Sequence, residues 1–332
     1  MAKTVLKCIT GDRIMEQYLV LKQIDVTNAN AISGFTYGFP AITHFLGYVH
    51  ALSRKLTHRG ITLSDVAVVC HQHQTHAYRE SSYEPYSFAL TRNPLTKEGK
   101  TAPINEEGRM SMTVSLIIKA SGIPNHVDSE KQATCELIKQ LAEQQKLAGG
   151  RIVSIRSCQL AKDNATAKTL LRGLLPGFVL VDRSDLMAIN EQNQETVSHW
   201  LSFSALKYQS VELKKYDESQ DRNESYIEWQ RIAKPAGYLV PIQIGYKAIS
   251  PLYEAGTVAN VRDIETSVSF VEAVHSIGEW VGAPSRISSM DQILWRYHYH
   301  APFYVAHSQQ QSMNGDLMPI SPDNKIEYNE DY

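Results

Sequence analysis

Long hydrophobic runs are missing from this 332-residue chain. No apolar stretch approaches the ~18 to 20 residues that span a bilayer, and Met1 to Ile9 lacks the continuous apolar region of a signal peptide. A cytoplasmic protein with no membrane association is therefore expected. Cysteine is also scarce: the four, Cys8, Cys70, Cys135 and Cys158, are scattered without a C-x-x-C pair. That spacing argues against a disulfide framework, a zinc ribbon or a redox motif. The chain has no Walker loop, no G-x-G-x-x-G, no G-x-S-x-G and no H-E-x-x-H pattern. Nucleotide hydrolysis and dinucleotide redox chemistry fall well down the list with them. Nor is there a strong charge of either sign, the net being −2, so composition alone does not announce a nucleic-acid binder.

What is present is ordinary globular material, 43% hydrophobic and 20% charged, and the length allows one elaborated domain or two packed ones. Charge is uneven along the chain. The tail Gln309 to Tyr332 has five acids against Lys325, and its proline and acid content favours a flexible segment. Arg151 to Asp185 has six basic residues against three acids, a local excess suited to a polyanion.

Periodicity marks the elements. Tyr18 to Asp25 reads as a buried strand, and Thr27 to Pro40, with two glycines and a proline, as a loop. Ile42, Phe45, Leu46, Val49 and Leu52 fall on one stripe, which predicts a helix over Ala41 to Leu56. Asp65 to His71 reads as a strand, and Asn93 to Arg109 as an exposed excursion or hairpin tip that could contact a partner. Met110 to Lys119 is a strand and Ser129 to Lys146 a helix with Ser129 at its cap. Gly149-Gly150 then feeds a β-branched strand from Arg151 to Arg156. Further strands are expected over Leu174 to Val181, Tyr238 to Ala248 and Tyr297 to His307. Strand, helix, strand, then strand, helix, strand is the order of a ferredoxin-like α+β fold.

Two clusters carry chemical possibilities. In His71-Gln72-His73-Gln74-Thr75-His76, a strand would place His71 and His73 on one face. Such a pair suits a metal with a third ligand, a contact to RNA or a partner, or plain surface histidines. Histidine can also serve as general base in RNA cleavage, but no matching acid accompanies it here. Gly149-Gly150-Arg151 allows close backbone approach to a phosphate with an arginine beside it. A helix end leading into a strand accounts for the same three residues. Trp295-Arg296-Tyr297-His298-Tyr299-His300 interleaves aromatics and histidines, as a base-stacking platform or an inward-packed strand does.

A resemblance joins these pieces. Asn28 to Ser33 and Gly38-Phe39-Pro40-Ala41-Ile42-Thr43-His44-Phe45-Leu46-Gly47-Tyr48-Val49-His50-Ala51-Leu52 resemble the N-terminal signature of the Csy-type CRISPR subunit of type I-F systems. Leu147 to Gly150, Leu174 to Val181 and Ser289 to Trp295 match further along, in consistent order over most of the chain. The resemblance implies a modified RNA-recognition (ferredoxin-like, RAMP) fold with β-hairpin and helical insertions. It would form one domain over 1–308, with an N-terminal split βαβ half to about 125 and the acidic tail 309–332 beyond. It also implies a non-catalytic subunit, needing no cofactor or metal, in an RNA-guided complex that recognises invading DNA. The expected partners are the five-prime handle of the guide RNA (crRNA), the large subunit, an adjacent backbone subunit and, through the assembly, target DNA. Carried onto this sequence, Asn28 and Asn30 would meet bases or sugars, Ser33 and Gly34 would close on phosphate, and Arg151 and Arg156 would clamp the backbone. For the asparagines, turn stabilisation is the competing use. With Gly149, Gly150, His71 and His73 these make up the expected RNA-binding set. The His71–His76 cluster departs from the family pattern and keeps open the alternative of a RAMP-type endoribonuclease that processes repeat RNA.

Overall fold

β1 runs over Gln17–Asn30, well past the apolar core of its sequence. It does so by taking up irregularities between Leu21 and Ile24 and between Val26 and Ala29, where it pairs with the strand Arg109–Ser121. Gln23 and Asn28 adopt φ of 46° and 59° at these places. The loop expected from Thr27 therefore begins only after Asn30, with the small hairpin Ile32–Ser33 and Thr36–Tyr37. The computed structural model describes residues 17–308 apart from 125–126, 189–195, 218–221, 262 and 283, so the acidic tail and Cys8 lie outside the described residues.

Helix α1, Ile42–Leu56, buries the stripe Ile42, Phe45, Leu46, Val49 and Leu52. Burial of each such side chain stabilises the fold by about 1.5 to 3 kcal/mol. Pro40 stands just ahead of the cap residue Ala41. Strands β2 (Thr62–Thr75) and β3 (Arg109–Ser121) follow, then α2 (Asp128–Glu143) and β4 (Gly150–Ala161). The cap of α2 is Val127, so Ser129 lies inside the helix. Between β2 and β3, Ser87–Arg92 pairs with Ile104–Glu107; of the expected excursion Asn93 to Arg109, only the part before Ile104 is the hairpin tip, since Ile104–Glu107 is a strand and Arg109 begins β3.

The sheet order of this half is β2-β3-β1-β4, every pair antiparallel. Alternation along the strands splits the core. Leu19, Leu21, Val66 and Val68 join Phe45 and Val49 of α1 and Ile138 of α2. Tyr18, Val20, Ala67 and Val69 join Ala167 and Leu171 of α3 (Asn164–Arg172) on the other face. Helix α3 is capped by Asp163, whose side chain accepts the Thr166 N–H at 2.7 Å.

The strands that follow extend the same sheet, apart from one separate pair. These are β5 (Phe178–Asp182), the separate two-stranded pair β6 (Tyr208–Asp217) and β7 (Arg222–Arg231), then β8 (Tyr238–Ala248), β9 (Val271–Val281), β10 (Trp295–His300) and β11 (Phe303–Ser308). Ten strands result, in the order β5-β9-β8-β11-β10-β2-β3-β1-β4 with Lys146–Leu147 at the edge. The edge of β2 away from β3 is shared: Val66 pairs with Trp295 of β10, while Val69 and Cys70 pair with Val179 and Phe178 of β5. The strands from β5 round to β10 thus return to β2. The protein is α+β, with a large antiparallel sheet and few helices.

Two strand expectations are corrected. Tyr297 to His307 is a hairpin, β10 and β11 turning at Ala301 and Pro302, because proline cannot donate to a ladder. Leu174 to Pro176 is loop, and the strand starts at Phe178. Two aromatics of β10 pack inward: Trp295 is fully buried with Nε1 donating to the Leu180 carbonyl, and partly buried Tyr297 packs against the core while stacking on Tyr304 at 4.5 Å.

Candidate nucleic-acid interface

A break in β2 organises the site. Cys70 pairs with Val114 but Gln72 pairs with Thr113, so His71 is an extra residue on β2. The simple alternation that would set His71 and His73 on one face is interrupted there. His71 turns towards the loop ahead of β5, with Nδ1 2.9 Å from the Pro176 carbonyl and Nε2 2.7 Å from Ser115 Oγ. A carbonyl only accepts, so Nδ1 carries a proton, and in the neutral ring Nε2 then accepts from the hydroxyl. Ser115 Oγ in turn accepts the Gln23 N–H at 2.9 Å, fixing the bulge of β1 against that of β2. His73 is exposed, and His76 Nε2 lies 3.0 Å from Ser111 Oγ.

Two cavities meet along these bulges and share Asp25, His71, Gln72 and Thr113. The smaller, about 830 Å³, is polar and holds Lys22, Arg156, Ser157 and Gln159 beside the Gly173 to Pro176 loop. Arg156 is exposed and reaches Gln23 Oε1 at 2.8 Å. The larger, about 1070 Å³, lies among the hairpin after β1, the C-terminal part of β2 and strands β5, β8 and β9. Its lining includes Tyr37, Phe39 and Trp280 with Gln72, His73 and Gln74. Asp25 stands at the divide, accepting from Thr113 Oγ1 at 2.8 Å and Ser154 Oγ at 3.0 Å. Cys70 also lines the larger cavity, but burial pushes its thiol up to about 12, so it stays protonated and unreactive at neutral pH.

The expected RNA-binding residues separate into places. Asn28, Gly149, Gly150 and Arg151 gather where β1 ends and β4 begins, Arg151 exposed and opposite Thr27. Arg156 and His71 line the smaller cavity; His71, His73 and Ser33 line the larger. Several have internal partners. Asn30 Nδ2 donates to the Ile32 carbonyl at 2.8 Å and its Oδ1 accepts the Ile32 N–H at 3.1 Å, which is turn stabilisation. Ser33 is buried, its Oγ accepting the Gln243 N–H at 3.3 Å. Gly34, with φ 59°, lies under His275, and the adjacent Phe35 N–H donates to His275 Nε2 at 3.3 Å. Gly150 is buried against Ala29. Among the described residues no group of three His, Cys, Asp or Glu is placed to hold a metal ion, and no helix is long and apolar enough to cross a membrane.

Sequence reasoning passed over Lys22, Gln159, Tyr238 and Trp280, all of which line the cavities. Lys22 had a local signal, a lone cation in the apolar run of β1. Tyr238 and Trp280 had none, because they reach the site through the pairing of β8 with β9 and of β9 with β5, more than 200 residues from β1.

Comparison with known proteins agrees on one family. Residues 19–305 match the family described as CRISPR-associated protein (Cas_Csy2). The chain is 35% identical over 312 residues to the CRISPR-associated protein Csy2 of Pseudomonas aeruginosa (strain UCBPP-PA14), covering 86% of this chain and 93% of that one. The class is thus a CRISPR-associated protein. Within that class, the chain belongs to the Cas_Csy2 family.

Proposed function

We propose that this protein is a non-catalytic subunit of a type I-F CRISPR surveillance complex, gripping the five-prime handle of the guide RNA together with the large subunit. An adjacent backbone subunit would follow it along the guide, and target DNA would meet it through the assembled complex in the cytoplasm. The observation that carries the reading is the pair of contiguous cavities at the β1 and β2 bulges, with half-buried Lys22 and exposed Arg156 lining one of them, in a chain of this family. Phosphate contacts of this kind position an RNA without reading it.

The succession β1-α1-β2-β3-α2-β4 with order β2-β3-β1-β4 supports the finer reading of the fold as a modified RNA-recognition, ferredoxin-like (RAMP) domain. Hairpins such as Ser87–Arg92 with Ile104–Glu107 then count as its insertions. The absence of catalysis is supported by His71, whose ring nitrogens are both engaged inside the protein. A general base needs a lone pair directed at substrate.

The test is co-expression of the tagged chain with the proteins encoded beside its gene and a repeat-spacer RNA. Recovery of a stoichiometric large subunit with an intact guide is the expected result. A solitary chain that cuts repeat RNA, and loses that activity on His71→Ala or His73→Ala, would replace this reading with the endoribonuclease.

A further inference from the structure

We propose that the larger cavity receives an unstacked nucleobase of the bound RNA, while the smaller one holds the adjoining sugar-phosphate backbone. This rests on the guide-binding reading above and adds a base receptor to it. The two cavities differ in chemistry although they share a wall. Lys22 and Arg156 belong to the smaller, whereas among the described residues no lysine or arginine lines the larger. A phosphate finds no lysine or arginine to pair with there. A flat, uncharged, hydrogen-bonding ring needs none.

Aromatic surface is available and rigidly held. Phe39 stacks on Phe45 at 5.7 Å and meets Trp280 edge-on at 4.9 Å, and Tyr37 meets Phe88 edge-on at 5.2 Å. Also in the lining, Tyr238 is 68% exposed and Phe178 54% exposed, so much of each side chain is open to solvent. Gln72, His73 and Gln74, all exposed, add polar heads. A glutamine amide presents a donor and an acceptor together, the pairing that a base edge requires. The hairpin bounding the cavity is fastened at two points, Ser33 to Gln243 of β8 and Phe35 to His275 of β9, the Phe35 ring also stacking on His275 at 5.0 Å. The receptor is therefore formed before RNA arrives, which removes an ordering cost from binding.

The experiment uses the complex that co-purifies with this chain and guide RNAs in which each handle nucleotide in turn is made abasic. One abasic position is expected to weaken binding to the wild-type complex by about ten-fold, the scale of one stacked base. The double variant Gln72→Ala, Gln74→Ala should bind intact RNA about ten-fold more weakly yet no longer distinguish it from the RNA abasic at that position. Tyr238→Ala, at an exposed lining residue, should repeat the pattern. Arg156→Ala, by contrast, should weaken intact and abasic RNAs alike. If no abasic position matters while the intact handle binds tightly, or if variant and abasic losses multiply, the base receptor is wrong and the handle reading stands. If the wild-type complex binds no handle RNA, the underlying reading fails and the inference fails with it.

Discussion

A Cβ on Gly150 would stand 2.7 Å from the backbone nitrogen of Ala29, closer than any side chain tolerates. The close approach that demands glycine at this position is between β4 and β1 of the protein itself. Gly149 is different: its φ is 74° and nothing lies within 4 Å of where its Cβ would be. Gly150→Ala should therefore cost about 2 to 3 kcal/mol through forced separation of the strands. Gly149→Ala should cost about 1 kcal/mol through backbone strain alone. Denaturant midpoints at constant slope measure both, and equal losses would refute the distinction.

Glu279 is 1% exposed and accepts from Arg183 and Arg286, each at 2.7 Å. Arg183 keeps Asp185 and Arg286 is half exposed to water, so removing the carboxylate costs two charge-assisted hydrogen bonds, and Glu279→Ala should destabilise by about 1.5 to 3 kcal/mol. Glu279→Gln keeps the shape and should cost less. Equal loss in the two variants would assign the effect to packing instead of charge.

Legibility of the fold followed the range of the interactions. The stripe Ile42, Phe45, Leu46, Val49 and Leu52 is set within one helix, and α1 lies where the spacing predicts it. Tyr238–Ala248 matches its expected bounds for the same reason, a local apolar run in a strand. Closure of the sheet through β5 and β10 onto one edge of β2 depends on partners more than 100 residues away, and nothing local to Val66 or Cys70 signals it. The bulge at His71 was equally hidden, since whether a residue is extra depends on the register of β3. Polar candidates were found by residue type, but which of them point inward, as Ser33 does towards Gln243, is a tertiary fact.

His44, His275 and His298 all titrate below the ordinary histidine value of 6.5, in each case chiefly because burial disfavours the imidazolium. The unfolded chain then takes up protons near that pH while the folded chain does so only lower. Stability is full above 6.5 and falls as pH drops through the window beneath it. Unfolding midpoints measured from neutral to mildly acidic pH should show this slope. His275→Gln keeps an acceptor for Phe35 but removes a titrating group, so its slope should be shallower; an unchanged slope would exclude His275 as a contributor.

Arg156→Ala should weaken guide RNA binding and make the dependence of log affinity on log salt shallower by about 0.7, one phosphate contact on a single strand. Arg151→Ala should act in the same direction. Asn30→Ala removes a side chain committed to Ile32 and should leave the salt slope unchanged. A salt slope untouched by both arginine variants would place them outside the RNA path.

The most direct measurement is photocrosslinking of the assembled complex with guide RNAs carrying 4-thiouridine either in the five-prime handle or in the spacer. Crosslinks from handle positions to peptides of this chain containing Lys22 or Arg156 are the predicted result. Crosslinks from this chain to the spacer alone would contradict its assignment to the handle.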